Sequence, residues 1–379
     1  MISNIPKELL MLTCTALVVA LVISYLMCPL VKAFAYKIGA IDVPKDNRRM
    51  HKTPIPRLGG LAIFLGFILS TVLFGYITRP VQGILLGAVL IVAVGAIDDV
   101  VSLVWWVKLL AQIAAAIIAA LHGVVIENLM NPIVFDNNVV LHLGFLSVPI
   151  TVVWIVAITN SVNLIDGLDG LAAGVSTIAG VTMLVIALLV ADPTVAVLLA
   201  ALVGACIGFL PYNLNPAKIF MGDTGALLLG YVLSTASVLG LFKFYAVVSF
   251  AVPFLVLAVP LFDTVFAFFR RLLTGKNPMK PDRGHFHHRL LDMGLNQKQA
   301  VAILYTISAM LGLAAVVITT SGELKALMLI AAFIAAIVIA GFLMKSSLHI
   351  RAASTEQDES PAPADETNPS DTENGGHEG

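Results

Sequence analysis

Residues 142–191 read HLGFLSVPITVVWIVAITNSVNLIDGLDGLAAGVSTIAGVTMLVIALLVA. Two apolar runs, 142–160 and 171–191, flank a short polar link carrying Asp166 and Asp169. Each run is long enough to cross a bilayer as a tilted helix. A carboxylate at membrane depth costs about 2.5 kcal/mol or more near a span centre, so a chain keeps it there for a purpose. Asn160, Asn163, Asp166 and Asp169 recur at intervals of three, which on a helix forms one polar stripe. Gly167, Gly170 and Gly174 permit irregular turns and close backbone approach to a ligand. Capping explains one such Asn or Asp; four in register point to a binding site.

The rest of the chain repeats this pattern. With 379 residues, 59% hydrophobic and 12% charged, and a mean hydropathy of +0.97, it reads as a polytopic membrane protein rather than a soluble domain. Apolar runs predict about eleven transmembrane helices in an all-α fold. They lie near 9–31, 58–78, 83–101, 104–122, 142–160, 171–191, 194–211, 224–242, 245–268, 300–319 and 325–344. Lys7 precedes a full-length apolar run, which argues for a retained first helix over a cleaved signal. Residues 1–350 then form the transmembrane domain. Residues 351–379 form an acidic tail with no Lys or Arg after Arg351, expected to be disordered. Cys14, Cys28 and Cys206 lie in apolar spans without metal-ligand spacing and read as buried small hydrophobes.

Lys and Arg bias sets the expected orientation. With the N-terminus outside, only Lys7, Arg79, Lys243 and Lys325 are external, leaving 18 of the 22 basic residues on the cytoplasmic side. The C-terminus is then cytoplasmic. Five costly aspartates, Asp98, Asp99, Asp166, Asp169 and Asp223, gather at that same face, while external loops carry no dense polar constellation.

Four other segments carry chemistry. AIDDV places Asp98 and Asp99 at the end of the third span, as interfacial carboxylates or as part of a metal-phosphate site. PYNLNPAKIFMGDTG places Asp223 just ahead of another span, where it suits both an N-cap and Mg²⁺ shared with substrate phosphates. In the same segment Asn213 could read a base edge and Phe220 could stack on one. The 269–299 loop groups Arg283, His285, His287, His288 and Arg289, a better fit to a phosphate clamp than to zinc, since it lacks Cys and the usual ligand spacing. The first loop is basic and proline-stiffened; Lys52 and Arg57 are its candidate phosphate contacts. Asp263, inside the ninth span seven residues before Arg270, is expected to form a structural ion pair. Pro253 and Pro260 should bend that span and open a lateral groove for a lipid chain.

Taken in order, DD at 98–99, NxxNxxDGxDGL at 160–171, FMGDTG at 220–225 and HFHH at 285–288 resemble the polyprenyl-phosphate N-acetylhexosamine-1-phosphate transferases. The resemblance covers the chain to about residue 345. It implies transfer of a sugar-1-phosphate from a UDP-sugar to a polyprenyl phosphate, with release of UMP and use of Mg²⁺, with Mn²⁺ as a substitute. HKTPIPRLGG and HFHHRL are similar to the branch using UDP-N-acetylglucosamine and undecaprenyl phosphate to start teichoic acid, O-antigen or related glycans. The muramoyl-pentapeptide branch usually carries KxGTPTMGG-like and HHHFE-like motifs instead. By resemblance, Asp223 and Asn163 contact the metal. Gly167, Leu168, Asp169, Asn213 and Phe220 surround uridine, with Asn160 also on the substrate side. His285, His287, His288 and Arg289 hold sugar or diphosphate, and Asp98 and Asp99 handle the acceptor. Asp166 belongs to the site without a settled role. The expected setting is the plasma membrane with the active site on its cytoplasmic face. No nucleic-acid partner is expected, and the oligomeric state, a homodimer included, stays open. From a different class, an ion-coupled transporter also keeps intramembrane carboxylates, but near the midplane.

Overall fold

The computed structural model describes residues 5–44, 53–130, 140–240, 248–273 and 285–321. The expected span at 325–344, the tail at 351–379, Lys52 and Arg283 lie outside the described residues. The order is α1 (Lys7–Ile38), β1 (Ile41–Asp42), β2 (Ile55–Pro56), α2 (Gly59–Phe74), α3 (Arg79–Val101), α4 (Trp105–Leu121), β3 (Asn128–Met130) and β4 (Val140–His142). There follow α5 (Ser147–Ile165), α6 (Leu171–Leu189), α7 (Pro193–Asn213), α8 (Gly222–Gly240), α9 (Val248–Val256), α10 (Ala258–Leu273), α11 (Phe286–Asp292) and α12 (Gln297–Ser321). The strands form two short antiparallel ribbons, and the body is helical. Seven described helices, α1, α3, α5, α6, α7, α8 and α12, are long and apolar enough to cross a membrane; α2 and α4 are shorter apolar helices.

Local chemistry explains the helix ends. Asp192 accepts hydrogen bonds from the amides of Thr194 and Val195 (3.0 and 3.1 Å), and Pro193 occupies the first turn of α7. Gly39, at φ 77°, closes α1 by donating its amide to Ala35 and Tyr36 carbonyls. The ninth span, expected as one bent helix, is two: Leu257 interrupts it between α9 and α10. Pro253 and Pro260, on either side, lack the amides that a continuous helix would use there.

Helix α8 is the hub. Every residue from Thr224 to Gly240 is buried, and the helix packs against α2, α3, α5 and α6. Its polar groups are satisfied within the bundle: Tyr231 Oη donates to the carbonyls of Gly83 and Ala115, and Ser237 Oγ accepts from Trp154 Nε1 at 3.0 Å. By contrast α1 packs on α2 and α7 with one face and leaves Met11, Leu26 and Leu30 exposed on the other, as a lipid-facing helix does. The antiparallel succession brings the ends of α3, α5 and α7 together with the starts of α2, α4, α6 and α8. Among the described residues, Arg57, Asn163, Asp166, Asp169, Asp223 and His288 meet there.

Candidate active site

The polar stripe read at 160–169 does not form on a helix, because α5 ends at Ile165. Asp166 is its C-terminal cap residue, and a turn closing at Gly170 (φ 77°) reverses the chain into α6. The reversal aims Asn163, Asp166, Gly167, Leu168 and Asp169 into a cavity of about 530 Å³. Asp42, Arg57, Asn213, Phe220, Asp223, His288 and Gln297 complete much of its wall. Asn160 faces elsewhere: its amide pairs with Gln112 on α4 and with the Val156 carbonyl. It braces α5 against α4 and is absent from the cavity lining.

Backbone pairing holds the segment before α8 against the start of α2. Phe220 donates its amide to Pro56, and Gly59 and Gly60 donate to the carbonyls of Phe220 and Met221, all within 2.8–2.9 Å. Gly222 then takes φ 71°, and a Cβ there would fall 2.3 Å from Asp99 Oδ2. Only glycine lets the chain turn so tightly over that carboxylate.

Asp99 is held tightly by the elements around it. Its side chain is fully enclosed. It accepts hydrogen bonds from the amides of Asp223 (3.0 Å) and Thr224 (3.1 Å), from Thr224 Oγ1 (2.6 Å) and from Arg57 Nη2 (3.5 Å). A carboxylate from α3 therefore caps α8 in trans and fixes the residue that presents Asp223. Both oxygens of Asp99 are thus engaged by donors from α8 and Arg57.

Asp98 and Asp223 share a cation that charge bias had marked only as a topology signal. Lys108, in the first turn of α4, places Nζ 3.2 Å from Asp98 Oδ2 and 2.7 Å from Asp223 Oδ2. Asn163, from α5, lines the same cavity as Asp223. Among the described residues no group of three or more His, Cys, Asp or Glu is arranged to hold a metal alone. Asp223, Asp98 and Asn163 are hard oxygen donors, and one or two carboxylates completed by substrate phosphates is the manner in which Mg²⁺ binds. The residues present fit that cation.

On the far wall Asp169 Oδ2 accepts from Asn215 Nδ2 (2.9 Å) and the Ala217 amide (3.0 Å), and Asn215 also donates to Gln297 on α12. Asn213 is buried and bridges two loops, accepting from the Gly170 amide and donating to the Ile219 carbonyl, each at 3.1 Å. Burial, with the charges of Asp223, Asp99 and Asp169 around it, pushes the Asp166 carboxyl up to about 8.

The three histidines separate by place. His288 lines the polar cavity. His287 lines a second, apolar cavity of about 360 Å³ between α5, α6, α10 and α12, with Phe262, Phe266 and Phe286 on its wall. His287 also packs on Gly167, where a Cβ would meet its Nε2 at 2.5 Å. Burial, aided by His288, brings its pKa down to about 4, so it is neutral at pH 7. His285 touches neither cavity wall; its Nδ1 sits 2.9 Å from Asp263 Oδ2. Asp263, paired with Arg270 in the sequence reading, instead gives both oxygens to His285 and the Phe286 amide. Arg289 lies over the Phe266 ring, 4.8 Å from its centroid, at the apolar cavity rather than the polar one.

Lys108, Asn215, Thr224 and Gln297 escaped the sequence reading. Lys108 was legible as a charge beside a span, but nothing in its neighbours marks it as a partner of residues 10 and 115 positions away.

Residues 81–241 match the family model for glycosyl transferase family 4. The chain is 41% identical over 307 residues to a probable undecaprenyl-phosphate N-acetylglucosaminyl 1-phosphate transferase of Bacillus subtilis, covering 81% of this chain and 85% of the relative. It is 35% identical to a decaprenyl-phosphate N-acetylglucosaminephosphotransferase of Mycolicibacterium smegmatis, over 76% of this chain and 77% of that one. A phospho-N-acetylmuramoyl-pentapeptide-transferase of Staphylococcus aureus is 30% identical over 79% of this chain and 95% of its own. The motifs at the cavity and the extent of these matches place the chain in glycosyl transferase family 4, the polyprenyl-phosphate N-acetylhexosamine-1-phosphate transferases, to which it belongs.

Proposed function

We propose that this protein transfers N-acetylglucosamine-1-phosphate from UDP-N-acetylglucosamine to undecaprenyl phosphate, yielding undecaprenyl-diphospho-N-acetylglucosamine and UMP. The observation that carries the reading is the pairing of two unlike cavities. Ile165 and His287 line the apolar one, while their chain neighbours Asp166 and His288 line the polar one. A phosphate carried on a prenyl chain needs such a pairing: an apolar slot for the chain, opening beside a charged chamber for the diphosphate. The names of relatives 41% and 32% identical to the chain give the same acceptor and the same transferred group.

Phosphoryl transfer asks the protein for positioning and charge neutralisation. An oxygen of the prenyl phosphate attacks the donor's β-phosphorus in line; the new P–O bond forms as the bond to the bridging oxygen breaks, and that oxygen leaves with UMP. Lys108 and Arg57 offset the charge of three phosphates meeting in one chamber. Asp98, beside Lys108, accepts any proton left on the acceptor. Little base strength is needed, since a phosphomonoester has its second pKa near 6, about one unit below neutrality. Asp169, Leu168 and Phe220 form the wall suited to uridine, and His288 faces the diphosphate. Mg²⁺ would be held by Asp223 with Asn163 and Asp98, supplying charge stabilisation at the transferring phosphate. The excess of Lys and Arg at this end supports the reading that the site faces the cytoplasm, in the plasma membrane.

Purified protein should release UMP from UDP-N-acetylglucosamine only when undecaprenyl phosphate is added, and only with a divalent cation. A donor panel including UDP-N-acetylmuramoyl-pentapeptide decides the sugar. Faster turnover of the pentapeptide donor would overturn the assignment.

A further inference from the structure

We infer that Asp263 is a positioning residue for the transfer reaction: its carboxylate, on the helix that walls the apolar cavity, clasps the histidine helix into register with the polar one. The inference rests on the transferase reading for its activity arm alone. Asp263 belongs to α10, twenty-two residues before His285, and the connecting residues 274–284 lie outside the described ones. Within the fold its two oxygens are both engaged by the start of α11. Oδ2 accepts from His285 Nδ1 at 2.9 Å, and Oδ1 accepts from the Phe286 amide at 2.6 Å. A carboxylate can only accept, so His285 carries its proton on Nδ1. Asp263 and His285 are each only 8% exposed. A buried carboxylate left without these partners would be strongly penalised.

The consequence runs along α11. The His285 ring lies parallel to that of His287, with centroids 5.8 Å apart, and His287 contacts His288 at 4.3 Å. His287 in turn rests on Gly167, in the turn that presents Asp166 and Asp169. α11 has only seven residues, too short to hold its own geometry. A second tie, Arg289 over the Phe266 ring, joins the same two helices on the apolar side. The position of His288 in the chamber thus depends on anchors one helix away, and the stronger of the two is Asp263. Carboxylates that orient metal-bound histidines from the far side set the scale for such a contact, about 10–100-fold on loss; here the tie reaches His288 through His285 and His287.

The test uses the full-length protein in lipid nanodiscs, with Asp263→Asn, His285→Asn and the double variant. In Asp263→Asn, kcat for UMP release should fall on the order of 10–100-fold, while inhibition by added UMP stays at its wild-type concentration, because the uridine wall at Asp169 is untouched. The double variant should lose no more than the worse single variant, since both remove one clasp. Hydrogen exchange at residues 286–290 should accelerate in Asp263→Asn without change across α5 and α8. Losses that multiply in the double variant, or unchanged exchange at 286–290, would overturn the clasp. So would UMP inhibition weakening in step with kcat, the mark of a generally collapsed site. If the wild type releases no UMP from UDP-N-acetylglucosamine, the functional reading fails by itself, and the exchange arm still judges the clasp.

Discussion

Replacing Asp99 by asparagine separates a brace from a catalyst. The carboxylate accepts three close hydrogen bonds, from the amides of Asp223 and Thr224 and from Thr224 Oγ1, and a longer one from Arg57. An asparagine keeps one acceptor oxygen and turns its NH₂ toward amides that also donate. At least two buried, charge-assisted contacts are lost, each worth roughly 1.5–3 kcal/mol, so the deficit is roughly 3–6 kcal/mol. Part of it lowers the thermal midpoint. The rest lets the first turn of α8 move, and with it Asp223; a 1 Å misplacement at a reacting centre costs about 100-fold in rate. Asp99→Asn should therefore lower kcat by about 100-fold and weaken Mn²⁺ binding measured by electron paramagnetic resonance. Thr224→Val, which removes only the hydroxyl donor, should have a much smaller effect in the same direction. Unaltered kcat and Mn²⁺ affinity in Asp99→Asn would refute the brace. A radiolabelled phospho-sugar adduct trapped on the wild type and missing from Asp99→Asn would make Asp99 a covalent nucleophile instead.

Asp223→Ala should abolish turnover with folded protein still recovered, and any remaining activity should not respond to Mg²⁺; a wild-type metal response would remove Asp223 from the cation site. Acid stability carries a signature of His287. Because its folded pKa of about 4 lies below the unfolded 6.5, only the unfolded chain takes up the proton between those values, so stability present above pH 6.5 is lost down to pH 4. His287→Gln should flatten that decline by an amount on the order of 3 kcal/mol at its ceiling, and an unchanged profile of thermal midpoint against pH would contradict the buried neutral ring. Deleting 352–379 should leave transferase activity in membranes intact; complete loss would show that the acidic tail takes part.

Apolar run length located nine of the described helices, with the end of α1, seven residues past the expected run, as the largest miss, because a bilayer fixes how long such a run must be. The motifs at 163–169, 220–223 and 288 were legible for a related reason: polar groups at the ends of apolar helices stand out against their surroundings. Direction was not legible. Intervals of three fit a helical stripe, yet α5 stops at Ile165, and Asn160 turns toward Gln112 while Asp166 and Asp169 turn into the cavity. Nor does any local pattern disclose capping in trans. Asp99 caps a helix 124 residues away, and Asp263 caps one across a 23-residue separation. Several of the donors that satisfy these carboxylates are backbone amides, which every residue but proline has and which leave no mark in the sequence. Lys108 was hidden by a plausible lesser reason, the charge bias of its side of the membrane.

The same placement of charge argues against a carrier. Alternating access requires ionisable groups near the middle of the bundle, reachable from both ends. Here the ionic network of Asp98, Lys108 and Asp223 stops at the first turns of α4 and α8. Beyond it every residue of α8 from Thr224 to Gly240 is buried, and its hydroxyls bond to carbonyls and side chains of the bundle. A solute leaving the polar cavity along α8 would have to break those contacts in a close-packed interior. Beside the chamber lies an apolar cavity walled by α10, the helix that follows the break at Leu257. A charged chamber with an apolar cavity beside it suits a reaction between a soluble nucleotide sugar and a phosphate carried on a lipid, with nothing crossing the membrane.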